Sequence, residues 1–360
     1  MANFIIRIEC HGRTYEDELK SWRSSLKALC ERAPNLAVLG FHASHCPPWI
    51  IDDLLSFSHL RSLEISSILP YSGFLTLAAA MPNLAKLHIL VNEDGSTPFP
   101  LVLTNMHELY LYTFNGASLV TILTHLSLPT LFFGHFSIFD ADVLAVDHHA
   151  CAAAIAGATS PHALRKLSLA FNGTFHTSRV PAADLAAVAP VELTRIVEPL
   201  VQVLGALDAF VLRFDGPLKL SADDTAFRLL VNAAPQLRVL RIDFRTWHEA
   251  GSVPTAHTLA LFARGCPRLV ELVLPYLAPM PMGEDNSERK VHQLRKLFVA
   301  DDSIRPRPSC EEVKEIVDGV EALFPALDLT FRSFILHRGR LWTDVFDQLR
   351  DRHGEAVAGA

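Results

Sequence analysis

Two short clusters of histidine and cysteine contain the residue types that could bind a metal ion. His148 and Cys151 are three residues apart, which would place them on one face of a helix, and His42 is followed by His45 and Cys46. A zinc site needs three or four protein ligands, and neither cluster has a second group of ligands at a suitable spacing. We therefore predict no metal site, and we expect the first cluster to lie on an ordinary helix and the second in a turn.

The short motifs of common enzyme classes are missing. The sequence contains no Gly-x-Gly-x-x-Gly, no phosphate-binding P-loop and no Gly-x-Ser-x-Gly, and His248-Glu249 lacks the second histidine of a zinc protease. Paired aspartates occur at predicted turns or helix starts, where negative charge suits the helix dipole: Asp52-Asp53, Asp223-Asp224 and Asp301-Asp302. We predict no catalytic residue and no cofactor. One enzyme alternative stays open, a hydrolase with its site within residues 134–206.

The composition excludes several classes of protein. Half of the 360 residues are hydrophobic and 20% are charged, which is too apolar for a disordered chain. The formal net charge is −7, so we expect no nucleic acid partner, and no apolar run is long enough to cross a membrane. Six cysteines without a Cys-x-x-Cys indicate reduced thiols. We expect a cytoplasmic or nuclear protein.

An internal repeat organises the chain. Leucine accounts for 54 residues, and short segments of the form Leu-x-x-Leu-x-apolar recur about every 29 residues. The predicted copies begin at Leu36, Leu60, Leu84, Met106, Leu128, Leu164, Leu207, Leu237, Leu269, Leu294 and Phe324, with a looser copy at Ile5. A proline stands two residues before the first position of four copies, as in Ala-Pro-Asn-Leu at 33–36. Because proline cannot continue a helix, it indicates a helix-to-strand junction.

Helical patterns separate the predicted strands. Apolar residues three or four apart predict helices over Glu18–Arg32, Asp224–Ala233, Thr258–Arg264 and Cys310–Leu323. Asp223 and Ser309 are suitable N-cap residues for two of them. One strand–helix unit cannot cover its own apolar face, so neighbouring units must stack. The segment 339–360 has a further apolar stripe and is predicted to form a C-terminal capping helix and tail.

The strand motif and the junctions, above all Cys-Pro-Arg-Leu at 266–269, resemble leucine-rich repeats, and more narrowly the divergent repeats of fungal F-box proteins. The resemblance implies an α/β fold, an irregular horseshoe-shaped solenoid of about 11–12 strand–helix units over residues 1–338, with a parallel sheet on its concave face. It also implies a surface that recognises a protein partner. The sequence contains no F-box, so contact with a ubiquitin-ligase adaptor would require an F-box supplied elsewhere.

We expect two kinds of side chain to point away from the helices onto the concave face. The first kind lies between the second and third positions of each motif, and the second kind lies just after the third position. Aromatic residues and arginine dominate binding hot spots, and the candidates of these and related types are His88, Tyr110, Tyr112, Phe132, Arg213, Arg241 and Asp243. The alternative is that the rings pack only against one another or under a loop. We predict a non-enzymatic scaffold for protein interactions, similar to the substrate-recognition part of an F-box protein. The second alternative is a repeat protein with no connection to ubiquitin ligases.

Overall fold

The computed structural model describes residues 6–7, 15–42, 47, 49–140, 146–173, 190–247, 253–279, 292–299, 309–329 and 341–358. The chain divides into two compact units, unit 1 from Met1 to Thr174 and unit 2 from Phe175 to Ala360. Both units consist of parallel strands joined by connections that contain helices. The predicted α/β class with a parallel sheet is therefore confirmed.

Unit 1 contains a series of strand–helix units in sequence order. Its described helices are α1 (Tyr15–Arg32), α2 (Ile50–Leu54), α3 (Tyr71–Ala80), α4 (Gly116–Thr124) and α5 (His148–Ala158). Its main sheet consists of β1 (Ile6–Arg7), β2 (Val38–His42), β3 (Ser62–Pro70), β4 (Lys86–Asn92), β6 (Glu108–Thr113), β8 (Phe133–Asp140) and β9 (Lys166–Gly173), paired in that order. Two short strands, β5 (Leu101–Val102) and β7 (Leu126–Ser127), pair with each other. The order in space follows the order in sequence, as stacked repeats require.

The core of unit 1 lies on one face of this sheet. In β4, Leu87 and Ile89 are fully buried, whereas His88 between them is partly exposed. Phe74 and Leu77 of α3 are fully buried as well, and α3 contacts β3 and β4. Side chains in a strand alternate between faces, so the leucines of the motif lie on the helix side and the residue between them lies on the opposite side.

One backbone carbonyl per repeat connects neighbouring strands at their entrance. The carbonyl of Ala37 accepts from the amides of Arg61 and Ser62 at 2.8 and 3.0 Å, and that of Arg61 accepts from Ala85 and Lys86 at 2.8 and 2.9 Å. The same arrangement recurs at the carbonyls of Ala85, His107, Phe132, Asp208, Arg238 and Val270. These bonds satisfy backbone groups of the turns and set the register of the strands that follow.

Unit 2 repeats the arrangement. Its described helices are α6 (Leu193–Leu204), α7 (Asp224–Ala233), α8 (His257–Gly265), α9 (Cys310–Leu323) and α10 (Leu341–Ala358). Its strands are β10 (Val191–Glu192), β11 (Ala209–Ser221), β12 (Val239–Trp247), β13 (Glu271–Leu274) and β14 (Lys296–Val299). Strands β11 to β14 pair in sequence order, and β10 pairs with the end of β11. Asp223 caps α7, and Ser309 forms a capping box with Glu312 at the start of α9, as the sequence predicts.

The C-terminal helix packs on α9 within unit 2. Trp342 is 1% exposed, and its indole Nε1 donates to the carbonyl of Leu277 at 3.1 Å. Arg352 donates to Asp318 at 2.7 Å and to Glu321 at 3.0 Å, both of which lie on α9. A helix is therefore present where the sequence predicts one. That it covers the end of a solenoid stays a prediction.

Two copies of the repeat begin three residues later than the sequence motif indicates. In most other copies the amide of the first position donates to the carbonyl three residues before it, as from Leu60 to Phe57 and from Leu84 to Met81. The same bond runs from Leu131 to Leu128 and from Leu327 to Phe324, so Leu131 and Leu327 are the first positions of these copies. The assignments to Leu128 and Phe324 are wrong. Leu128 and Phe324 are themselves apolar and buried. The sequence motif therefore also fits three residues too early in these two copies.

Candidate interaction surface

The open face of unit 1 is the side of the main sheet opposite the buried leucines. The register places Glu64 of β3 beside His88 of β4, His88 beside Tyr110 of β6, and Tyr110 beside His135 of β8. The next residue in this row is Ser168 of β9. Each strand of the main sheet from β3 to β9 therefore contributes one side chain to a continuous row. Residues two positions earlier or later on each strand extend the same face, since strands alternate with a period of two.

Six rings form a contiguous group on this face, the ring cluster: His88, Tyr110, Tyr112, Phe133, His135 and Phe139. The His88 ring stacks with those of Tyr110 and Tyr112, with centroids 5.4 and 5.0 Å apart. The centroid of the Tyr112 ring lies 5.3 Å from that of His135 and 5.7 Å from that of Phe139. Tyr110 lies 5.0 Å from the Phe133 ring and 5.9 Å from that of His135. All six rings are at least partly exposed, so they support one another while keeping a surface available.

Charged side chains border the ring cluster. The ammonium of Lys86 lies 2.9 Å from a Glu108 carboxylate oxygen and 5.2 Å from the centroid of the Tyr110 ring. On β3, which pairs with the strand of Lys86, one Glu64 carboxylate oxygen lies 3.6 Å from His88 Nδ1 and 3.8 Å from His42 Nε2. The Lys86–Glu108 pair is neutral as a whole. The ion-pair neighbours of Glu64 among the described residues are these two imidazoles, and the Lys86 ammonium lies farther from it.

The pKa values of three groups on this face depart from their ordinary values. Burial lowers the pKa of His88, and the nearby Glu64 carboxylate opposes this only in part. Burial raises the pKa of Tyr112, and the hydrogen bond to Glu108 raises that of Lys86. At neutral pH His88 is therefore an uncharged ring, Tyr112 keeps its hydroxyl proton, and Lys86 keeps its positive charge.

Hydrogen bonds fix the polar end of the row. His135 Nδ1 and the Ser168 hydroxyl are 2.9 Å apart, and the amide of Asn172 donates to the Ser137 hydroxyl at 2.8 Å. A histidine–serine pair also occurs in hydrolases, which in addition need a group that orients the base and donors that stabilise an oxyanion. Contact between two side chains on a flat row of strands does not by itself supply these. The pair orients the His135 ring within the ring cluster.

The structure places three predicted site residues together and moves a fourth. His88, Tyr110 and Tyr112 lie in the ring cluster, whereas Phe132 lies before β8 and is 45% exposed. The prediction that Phe132 is the open-face residue between the second and third positions of its repeat is wrong, because His135 takes that position in the row. The cause is Gly134, which occupies the second position of the motif where other copies carry a large apolar residue. A Cβ there would lie 2.7 Å from the Phe136 ring, so only glycine leaves room for that ring.

The predicted charged residues of unit 2 divide into two groups of ion pairs. Arg213 lies 3.7 Å from Asp243 on the neighbouring strand. Arg241 instead bonds the Glu271 carboxylate at 2.5 Å, and Lys296 lies 3.9 Å from the same residue. Glu271 was not predicted as part of this patch, because only the register of β12 and β13 brings it to Arg241. Each of the three predicted charged residues of unit 2 therefore lies beside an opposite charge on a neighbouring strand.

The candidate metal ligands have structural roles where the structure describes them. His148 begins α5 and its ring lies 4.6 Å from that of Phe171. Cys151 is 1% exposed, and burial raises the pKa of its thiol to about 12, which disfavours the thiolate that zinc requires. His42 ends β2, while His45 and Cys46 lie outside the described residues. No group of three or more potential metal ligands occurs within the described part of the chain.

The aspartate pairs serve the fold in the two cases that the structure describes. Asp53 accepts a hydrogen bond from the Arg23 guanidinium at 3.2 Å. Asp223 caps α7, and Asp224 accepts from Thr255 and Thr258 at the start of α8. The pair Asp301-Asp302 and the dipeptide His248-Glu249 lie outside the described residues.

No described helix is long and apolar enough to cross a membrane.

No family model matches the sequence, and no curated protein matches it. Among solved structures, the chain is similar to one in the crystal structure of a TLR13–ssRNA13 complex, with a TM-score of 0.36 and 14% sequence identity. The match covers 76% of this chain and 37% of that one, so the chain spans little more than a third of its length. The α/β fold with parallel strands follows from the register of the strands within each unit.

Proposed function

We propose that this chain is a non-enzymatic scaffold that binds a protein partner through the open face of unit 1. The observation that carries the proposal is the ring cluster, six adjacent rings on three neighbouring strands that stay partly exposed. Tyrosine contributes large contact area and a hydroxyl at a small entropic cost, which explains its frequency in binding hot spots. A rigid sheet holds these rings in place before a partner arrives, so little ordering is needed on binding.

The wider architecture that we propose is an irregular leucine-rich-repeat solenoid. Its support is the succession of parallel strand–helix units within each unit of the chain and the carbonyl that links each strand entrance to the next. In such an arrangement every repeat adds one position to the same binding row. The cysteines that the structure describes are free thiols, of which Cys151 and Cys266 are buried, and this supports a cytoplasmic or nuclear protein.

The test is affinity purification with three versions of the full chain. Tyr110→Ala/Tyr112→Ala removes the centre of the ring cluster, and Phe99→Ala is the matched control, because Phe99 is a 45% exposed ring of unit 1 outside that cluster. Partners retained by the wild type and the control but lost by the double variant are then purified and titrated directly. Loss of two hot-spot rings should weaken the dissociation constant by about thirtyfold or more. Equal retention by all three versions would place binding elsewhere.

A finer proposal is that the scaffold selects substrates for a ubiquitin ligase. Its support is the resemblance of the strand motifs and of the Cys-Pro-Arg-Leu junction at 266–269 to the repeats of F-box proteins. A purified cullin adaptor should then associate with the protein in the presence of whichever chain supplies an F-box. Failure to associate would favour a repeat protein with no ligase connection. Turnover of a hydrolase substrate by the purified protein would instead contradict the non-enzymatic assignment.

A further inference from the structure

Among the described residues, the carboxylate of Glu64 has no lysine or arginine at ion-pair distance. Its side chain is 44% exposed on the open face of unit 1, and its only ion-pair neighbours among the described residues are the imidazoles of His42 and His88. The groups that face it are His42 from β2, Lys86 and His88 from β4, and farther off the tyrosines of β6. The Lys86 ammonium is held by Glu108, one strand beyond. Glu64 therefore presents an exposed carboxylate beside the His88 ring, while the neighbouring Lys86 is paired with Glu108.

The same face already shows how it holds a cation. Lys86 lies between the Glu108 carboxylate, at 2.9 Å, and the Tyr110 ring, at 5.2 Å. One strand back, Glu64 and the His88 ring form a similar combination of carboxylate and ring without a lysine or arginine within ion-pair distance among the described residues. A cation placed over a ring and against a carboxylate gains from both interactions.

We infer that the open face of unit 1 binds a basic segment of its protein partner, with an arginine of that segment held between Glu64 and the ring cluster. This inference rests on the proposed function and specifies its partner. Arginine fits better than lysine, because its planar guanidinium bonds a carboxylate through two N–H groups and stacks on rings at the same time. The formal net charge of −7 for the whole chain also favours encounter with a basic partner.

The charges on this face make a nucleic acid a weaker candidate. A phosphate backbone needs several available cations, and the two lysines here are engaged, Lys86 with Glu108 and Lys166 over the Phe132 ring at 5.8 Å. Glu64 would repel a phosphate. A basic peptide fits this face better, because the Glu64 carboxylate attracts its positive charge and its side chains can contact the rings.

The experiment is a selection of random 12-residue peptides displayed on phage against the full chain at pH 7.5. The wild type should enrich sequences that contain arginine. Glu64→Gln should abolish this enrichment, and Glu64→Lys should shift selection toward acidic residues. Asp52→Asn is the matched control, because it makes the same change of net charge at an exposed position on α2 and should select as the wild type does. Far-UV circular dichroism checks that each variant is folded.

A peptide selected by the wild type is then titrated by fluorescence anisotropy. Its dissociation constant should be about ten- to a hundredfold weaker for Glu64→Gln, as expected for the loss of a charged hydrogen-bonded pair. Arginine enrichment that persists in Glu64→Gln, or selection of neutral, acidic or no peptides by the wild type, overturns the inference. Peptides that depend on Tyr110 and Tyr112 but lack basic residues would leave the proposed function standing. Preferential binding of a uridine 20-mer in place of any peptide would overturn both.

Discussion

Asp224 links two repeats of unit 2, and its removal should destabilise the protein more than the removal of any neighbouring charge. Its carboxylate accepts from the Thr255 amide at 2.9 Å, the Thr255 hydroxyl at 2.7 Å and the Thr258 hydroxyl at 2.5 Å. These three donors lie at the start of α8, which belongs to the next repeat: Thr255 precedes the helix and Thr258 is in its first turn. Asp224→Ala leaves all three without their acceptor, and the Thr258 hydroxyl is fully buried.

The expected loss follows from these contacts. A hydrogen bond to a charged group contributes about 1.5–3 kcal/mol, and the three bonds share one carboxylate, so their contributions do not add. We expect Asp224→Ala to lower the free energy of unfolding by about 2–4 kcal/mol. Urea unfolding followed by circular dichroism measures this as a lower midpoint. Asp223→Ala is the matched control, since it makes the same change one residue earlier and removes only the cap of α7, worth about 1 kcal/mol.

A double-mutant cycle separates the link from the general effect of the substitution. Thr258→Val removes one donor with little change in shape, and its effect should be smaller in the Asp224→Ala background than in the wild type by at least about 0.5 kcal/mol. Additive losses, or an Asp223→Ala variant that is destabilised as much as Asp224→Ala, would refute the argument that Asp224 joins the repeats.

Two further predictions concern packing and pH. Gly265→Ala should destabilise the protein by about 1–3 kcal/mol, because a Cβ there would lie 2.0 Å from the stiff Val231 side chain. Gly157→Ala should stabilise the protein slightly, because a Cβ there would have no atom within 4 Å. A higher melting temperature for Gly265→Ala than for Gly157→Ala would contradict the packing argument. His292 is buried, its Nδ1 accepts from the Leu294 amide at 3.0 Å, and burial lowers its pKa. The unfolded chain therefore binds this proton more readily, and the free energy of unfolding should fall as the pH drops below about 6.5, by at most ~1.4 kcal/mol per pH unit. Urea unfolding of the wild type and of His292→Gln between pH 7.5 and 5 measures how much His292 contributes to this pH dependence. The same change of the free energy of unfolding with pH in both proteins would exclude a contribution from His292.

Several features of the fold can be predicted from the sequence because they depend on residues close together in it. Helix α9 begins and ends where its apolar spacing predicts, since a helix requires only that side chains three and four apart share a face. The caps at Asp223 and Ser309 bond backbone amides three residues away. Most strand motifs are equally local, because their alternation separates a buried face from an exposed one.

The register of neighbouring strands decides the rest. His135 stands beside Tyr110 although the motif predicts Phe132, because residues 128 and 131 are both apolar and the sequence offers two positions for one strand. Glu64 and Glu271 reach their partners only through pairing between repeats some 24 to 30 residues apart. The sequence by itself determined most of the repeat positions, the bounds of α7 and α9, and the caps at Asp223 and Ser309. Only the tertiary structure decided which side chains meet on the open face, because a shift in register changes every lateral neighbour without changing the local pattern.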